Sequence, residues 1–176
     1  MEAGCVYSRR ASVTMFGRAV TLVGHPVRIG RKAPDFNTVA GDLSTVMFSS
    51  LLDRPCVIGS IVSLDVSACA AQARCLGRLA AHMQGLLRVL VVSMDLPFAQ
   101  VRWCGTADVR DLMVLSDYRD ASFGAAYGLL ARELRLLARA VLLVDGDGVL
   151  RYMRMIENGT NTPQYDGLLD AARRWL

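Results

Sequence analysis

The sequence has few of the residues on which metal sites and nucleic-acid surfaces depend. Its 176 residues include two histidines and five cysteines, and the cysteines form no CxxC pair. This spacing excludes a zinc ribbon and a redox site of the CxxC type. Lys32 is the only lysine among 20 basic residues. The arginines are scattered and are not interleaved with aromatic residues, so no nucleic-acid partner is expected.

Long apolar runs are also missing. Stretches such as residues 140–144 are far shorter than the roughly 20 residues that a membrane-spanning helix needs. The first residues lack the apolar stretch of a secretion signal, so we expect a cytoplasmic protein without a membrane partner. Five thiols in a reducing cytoplasm do not form a disulfide framework. Each cysteine is therefore either a small buried side chain or a reactive one.

The composition is that of a globular domain, with 53% hydrophobic and 20% charged residues. This balance and the chain length indicate a single domain over residues 13–176. Residues 1–12 are polar and aperiodic, and they are expected to form a loose or disordered extension. Two short β-rich runs, 13–16 and 19–22, flank Gly17-Arg18 and predict a tight hairpin.

Beyond the hairpin, apolar runs alternate with helical periodicity. The predicted strands are residues 56–62, 86–93, 113–115, 140–144 and 149–155. The predicted helices are residues 69–84, 122–130 with Ser122 as N-cap, and 165–175. Strands that are apolar throughout and separated by helices indicate a central sheet covered on both faces. The last two strands form a hairpin through 145–148, so the predicted α/β fold has a mixed sheet.

Cys69 stands where the first of these strands gives way to the long helix. A thiol in the first turn of a helix faces free backbone N–H groups and the positive end of the helix dipole. Both favour the nucleophilic thiolate. A buried cysteine at a strand-to-helix turn is the alternative, and it would be preferred for an isolated cysteine.

Four segments, in order along the chain, set Cys69 in a family pattern. They are residues 63–74 (SLDVSACAAQAR), 94–105 (MDLPFAQVRWCG), 115–128 (LSDYRDASFGAAYG) and 136–141 (LLARAV). The chain resembles the thiol peroxidases, the branch of the peroxiredoxins that forms a disulfide within one subunit. The N-terminal hairpin and residues 162–165 (TPQY) fit the same pattern. The resemblance runs from about residue 13 to the C-terminus.

The resemblance implies a thioredoxin-like fold with an added N-terminal β-hairpin. It also implies a peroxidase in which Cys69 attacks the peroxide and Cys104 then forms an intramolecular disulfide with it. Thioredoxin would reduce that disulfide. Arg139 would hold Cys69 as thiolate and orient the peroxide. Cys69 and Cys104 would lie on different helices, so the disulfide step requires local unfolding around Cys104.

The same resemblance implies no metal and no organic cofactor. The substrates would be hydrogen peroxide and organic hydroperoxides. Family members are commonly homodimers, so a dimer packed near the active-site loops is expected here.

Two positions depart from the family pattern. Val62 stands in place of a proline, and Val66 replaces a threonine whose hydroxyl is expected to bond the thiolate and the peroxide. Valine keeps the shape but has no donor or acceptor. Ser67 is a candidate replacement hydroxyl. The departures leave a second interpretation open, in which the chain is a catalytically weakened redox sensor or partner-binding module on the same fold.

The remaining candidates have structural interpretations. Cys56 and Cys75 are expected to be packing residues, and Cys5 is expected to have no role. Arg139 has a second interpretation as a cation at a helix end. Asp65 is expected to serve a turn before the helix.

Overall fold

The computed structural model describes residues 8–9, 13–107, 109, 111–156 and 166–175. The helices are α1 (Ser67–Met83), α2 (Pro97–Ala107), α3 (Ser122–Ala126) and α4 (Asp166–Trp175), and a 3-10 turn covers Phe48–Leu51. The strands are β1 (Ser8–Arg9), β2 (Thr14–Met15), β3 (Arg18–Ala19), β4 (Leu22–Val23), β5 (Asn37–Val39), β6 (Thr45–Met47), β7 (Cys56–Ser60), β8 (Arg88–Ser93), β9 (Met113–Ser116), β10 (Leu130–Ala131), β11 (Leu136–Leu137), β12 (Ala140–Val144) and β13 (Leu150–Met155).

A seven-stranded mixed sheet forms the centre of the fold, in the order β13-β12-β7-β8-β9-β5-β6. Strands β7, β8 and β9 run parallel, whereas β12 and β13 on one side and β5 and β6 on the other are antiparallel to their neighbours. All residues of β7 and β12 are buried, as expected for strands covered on both faces. The predicted α/β class with a mixed sheet is confirmed.

Helix α1 begins two residues earlier than predicted, so Cys69 is its third residue. The helix lies close to β7 because Gly59 has no side chain. A Cβ atom at Gly59 would stand 2.4 Å from Cδ1 of Leu76 on α1. The helix ends at Met83, and Gln84 follows in the left-handed conformation with φ of 46°. This close packing holds the middle of α1 against the carboxyl end of β7.

The N-terminal hairpin is confirmed, with its turn one residue earlier than predicted. Strand β2 pairs with β3, and the turn residues Phe16 and Gly17 have φ of 51° and 74°. Two left-handed residues in a row are typical of the type I′ turn that two-residue hairpins prefer. Within the segment 1–12, only Ser8 and Arg9 are described, and they pair with β4. The rest of that segment lies outside the described residues.

Helix α3 differs from the prediction at both ends. It ends at Ala126, and residues 130–131 form β10, which pairs with β4 and β11. Gly128, with φ of 64°, turns the chain out of the helix. The N-cap is Ala121, and Ser122 Oγ instead accepts the Asn37 N–H at 3.1 Å. The N-cap prediction for Ser122 was therefore wrong.

The Asp117 carboxylate serves the start of α3 in place of Ser122. It accepts the N–H groups of Phe123 at 3.0 Å and Gly124 at 2.8 Å. Burial nevertheless raises the pKa of Asp117 from 3.8 to about 6, and nearby Asp120 adds to the rise. The cost of removing this carboxylate from water therefore exceeds what its hydrogen bonds return.

Within the described ranges, no helix is long and apolar enough to cross a membrane.

The raised pKa of Asp117 predicts a stability that falls as pH rises. The folded chain protonates Asp117 more readily than the unfolded chain, so this contribution is present below about pH 4 and is lost as pH rises through about 6. Relative to Asp117→Asn, the wild type should lose up to roughly 3 kcal/mol of stability between about pH 4 and pH 7. Urea unfolding of both reduced proteins across this range measures the difference.

Asp120→Asn, an exposed position in the same turn, is the control and should largely keep the wild-type pH dependence. Parallel stability curves for the wild type and Asp117→Asn would contradict the assignment.

Candidate functional site

Cys69 lies in the first turn of α1 and is fully buried. Its N–H donates to the Val66 carbonyl at 2.9 Å, and the Ala70 N–H donates to the same oxygen at 2.9 Å. The thiol therefore stands at the positive end of a 17-residue helix, sheltered from solvent. The positive end of the helix dipole therefore lies at the turn that contains Cys69.

Arg139 brings a full positive charge to the same turn. It lies between β11 and β12 and is only 4% exposed. Its Nε donates to Gln72 Oε1 at 3.1 Å, and a terminal nitrogen donates to the Ala68 carbonyl at 3.4 Å. Ala68 directly precedes Cys69. The structure thus brings Arg139 to the turn that contains Cys69, and Arg139 does not end a helix.

Gln72 fixes this guanidinium, and the sequence reasoning assigned it no role. Its Nε2 donates to the carbonyls of Ser60 at 3.4 Å and Ala140 at 3.3 Å, while its Oε1 accepts from Arg139. Ser60 Oγ in turn donates to the Ala138 carbonyl at 2.7 Å. One sequence feature could have indicated a role for Gln72: it is a polar residue on the buried face of the helix, one turn after Cys69.

Cys104 lies near the end of α2, and its side chain is half-buried. Burial raises the pKa of the Cys104 thiol, so it is protonated at neutral pH. Helix α2 contacts α1 where the Arg74 guanidinium lies 5.6 Å from the centre of the Trp103 ring. All four cysteines within the described residues are free thiols. The resolving candidate is therefore on the neighbouring helix and not bonded to Cys69.

The segment between β7 and α1 contains both departures from the family pattern. Val66 is the N-cap of α1, with extended φ and ψ of −88° and 121°. A threonine could accept a backbone N–H from this position, and valine cannot. Ser67 is exposed and lies about 200° around the helix from Cys69. Its hydroxyl is not placed to serve the buried thiol.

The other candidates have the environments expected of structural residues. Cys56 is fully buried, and burial raises the pKa of its thiol. Cys75 is partly buried on α1, and Asp65 is exposed in the turn before the helix. Cys5 lies outside the described residues. Among the described residues, no group of three or more histidine, cysteine or acidic side chains is arranged to hold a metal ion.

Comparisons with known proteins agree with this geometry. The redoxin family matches residues 28–169. A thiol peroxidase of Halalkalibacterium halodurans is 43% identical over 166 residues, covering 94% of this chain and 99% of that protein. A thiol peroxidase of Bacillus subtilis is 40% identical over 163 residues, covering 93% and 97%. The crystal structure of a peroxiredoxin-like protein from Aquifex aeolicus has a TM-score of 0.83 at 32% identity, covering 97% of this chain and 99% of that chain.

The thioredoxin-like sheet and the buried cysteine at the start of α1 define a redoxin, the class of thiol-dependent oxidoreductases built on this fold. Within that class, the chain belongs to the thiol peroxidase family of the peroxiredoxins. The resemblance found in the sequence is confirmed at the level of family and enzyme class.

Proposed function

We propose that the protein reduces hydrogen peroxide and organic hydroperoxides through Cys69. The observation that carries this proposal is the buried guanidinium of Arg139, held by Gln72 and by the Ala68 carbonyl at the turn that contains Cys69. A cation and a helix N-terminus together favour a thiolate at this position. Membership of the thiol peroxidase family supports the same chemistry.

In the first step the Cys69 thiolate attacks one oxygen of the peroxide O–O bond. That bond breaks, an S–O bond forms, and the sulfur is oxidised to a sulfenic acid while the peroxide is reduced to water or an alcohol. The second peroxide oxygen leaves with the bonding electron pair and takes up a proton. Arg139 orients the peroxide oxygens and stabilises the developing charge with its rigid set of donors.

In the second step the Cys104 thiol condenses with the sulfenic acid, forming an S–S bond and releasing water. Because Cys69 is fully buried on α1 and Cys104 stands on α2, at least one of the two helices must open locally. A dithiol protein of the thioredoxin class then reduces the disulfide by exchange and itself becomes a disulfide. A cytoplasmic location would supply that reductant.

The peroxidase proposal predicts a fast fluorescence change in the reduced protein on mixing with hydrogen peroxide or cumene hydroperoxide. Trp103 adjoins Cys104 and should report formation of the disulfide. Cys69→Ser should abolish the change, whereas Cys104→Ser should still form the sulfenic acid but no internal disulfide. Stopped-flow fluorescence and mass spectrometry of the Cys69–Cys104 link provide the measurements.

Trp103→Phe serves as the optical control, because it should remove the signal while mass spectrometry still detects the disulfide. Thiols that stay reduced for minutes under excess peroxide would overturn the peroxidase proposal.

A second candidate function rests on Val66. The catalytic turn has no side-chain hydroxyl at the N-cap position, and Ser67 is exposed on another side of the helix. A slow Cys69 would suit a redox sensor or a partner-binding module better than a peroxide scavenger. The rate of the first step distinguishes these two functions.

Val66→Thr should accelerate the first step, because the hydroxyl would supply a hydrogen-bonding group beside the reacting sulfur. By comparison with the loss of one transition-state donor in other enzymes, the gain should be on the order of 10²-fold. The second-order rate of Cys69 oxidation measures it. Val66→Ala, which also lacks a hydroxyl, should show no such gain, and equal rates for the threonine and alanine variants would contradict the role assigned to this position.

The proposed functional unit is a homodimer of single domains over residues 13–176. Exposed apolar side chains support it: Leu96, Phe98 and Val101, at the start of α2, are 52%, 65% and 53% exposed. Leu43 in the neighbouring β5–β6 turn is 43% exposed. A Cβ atom at Gly41, in the same turn, would stand 2.5 Å from Cγ2 of Val101, so this turn adjoins α2. We take the four side chains as one apolar patch, which a second copy would remove from water.

Phe98→Asp should therefore convert the dimer to a monomer, since it places a charge at the centre of this patch. Light scattering coupled to size-exclusion chromatography measures the mass. Leu86→Asp is a matched control and should leave the dimer intact. Leu86 is also 65% exposed, but it lies just before the start of β8, whereas Phe98 follows the end of that strand. A wild-type monomer, or a Phe98→Asp dimer, would contradict this interface.

A further inference from the structure

A carboxylate outside the catalytic turn connects the two cysteine-bearing segments. Asp95 lies between β8 and α2, and its Oδ2 accepts the Leu64 N–H at 2.8 Å. Leu64 is 4% exposed and belongs to the segment that leads into α1. Asp95 thereby holds the approach to Cys69 through a hydrogen bond to a charged group, a kind about twice as strong as a neutral one.

The same carboxylate is tied to the first turn of α2 through Ser93. The Ser93 hydroxyl donates to Asp95 Oδ2 at 2.8 Å and accepts from Gln100 Nε2 at 3.0 Å. Gln100 lies on α2, is 2% exposed, and also donates to the Leu115 carbonyl at 2.9 Å. A continuous chain of hydrogen bonds therefore runs from the loop before Cys69 to the helix that contains Cys104.

The backbone of Asp95 is itself fixed to the sheet. Its carbonyl accepts the Ser116 hydroxyl at 2.5 Å, at the end of β9. The Asp117 N–H donates to the Ser93 carbonyl at 2.9 Å. The carboxylate is thus held at the edge of the sheet, while at least one of the two segments that it joins must open locally for the disulfide to form.

We propose that Asp95 is a positioning residue that holds the Cys69 segment and α2 together in the closed arrangement. In the closed arrangement Cys69 is buried in the first turn of α1, and this arrangement favours attack on the peroxide. Breaking the Asp95 contact allows the local opening that the disulfide requires. The inference rests on the proposed two-cysteine peroxidase. It assigns Asp95 opposite effects on the two steps: it favours oxidation of Cys69 and opposes condensation with Cys104.

Asp95→Asn provides the test because it preserves size while removing the charge. Oxidation of Cys69 by hydrogen peroxide should slow about tenfold, as expected for weakening a hydrogen bond to a charged group. The later disulfide phase of the Trp103 signal should become several-fold faster. Ser93→Ala removes the link to α2 and the 3.3 Å bond from the Asp95 N–H to Ser93 Oγ but keeps the Leu64 contact. It should therefore accelerate the disulfide phase and affect the oxidation phase less.

Asp42→Asn is the matched control. Asp42 is an exposed carboxylate that accepts the N–H and the hydroxyl of Ser44 in the β5–β6 turn, at 3.0 and 2.6 Å. Its loss should leave both phases unchanged. A variant that was merely less stable would raise amide exchange across β7 and β8 as well, whereas loss of the Asp95 contact should raise it at Leu64, which distinguishes a structural role from a positioning role.

Amide hydrogen exchange in the reduced protein tests the contact without any activity. The Leu64 N–H should exchange about tenfold faster in Asp95→Asn than in the wild type, and its exchange rate should be unchanged in Asp42→Asn. Unchanged Leu64 exchange, or rates that change together in both phases, would overturn the inference. A wild type that does not react with peroxide at all would instead overturn the proposed function, while the exchange result would still decide the contact.

Discussion

A guanidinium that is only 4% exposed must be supplied with partners, because moving an ion out of water costs several kcal/mol. Arg139 finds them in Gln72 and the Ala68 carbonyl, on the first two turns of α1. Gln72 is itself bonded to the carbonyls of Ser60 and Ala140, on β7 and β12. The position of the charge therefore determines how α1 lies on the two central strands. Cys69, the residue after Ala68, lies in the turn to which Arg139 donates.

The site thus relies on backbone and charge more than on hydroxyl groups. The start of a helix and the Arg139 guanidinium both lie at the turn that contains Cys69, whereas Val66 makes no side-chain hydrogen bond at the N-cap. Gly59 is part of the same arrangement, since a side chain at that position would meet Leu76 and displace α1 from β7.

The sequence predicts β7, β8, β12 and α1 well because their periodicity records burial directly. Periodicity does not reveal α2, because its side chains Phe98 and Val101 face outward and obscure the helical stripe. The helix under Cys104 was implied by the family resemblance alone. The two-residue strands β10 and β11 are too short to leave a pattern, so the predicted helix extended to the first residue of β10. Gln72 could be quoted from the motif, but its role depends on Arg139, 67 residues away. Contacts of that range do not appear in local periodicity.

The two steps of the proposed reaction make opposite demands on the start of α1. Attack on the peroxide needs Cys69 buried beside Arg139, whereas the disulfide needs this turn or α2 to open. A missing N-cap hydrogen bond weakens the first turn of a helix by about 1 kcal/mol. Valine at position 66 therefore removes a group useful for the first step and, by the same change, lowers the cost of the opening that precedes the second. Both consequences arise because residue 66 stands at the N-cap position of α1, three residues before Cys69.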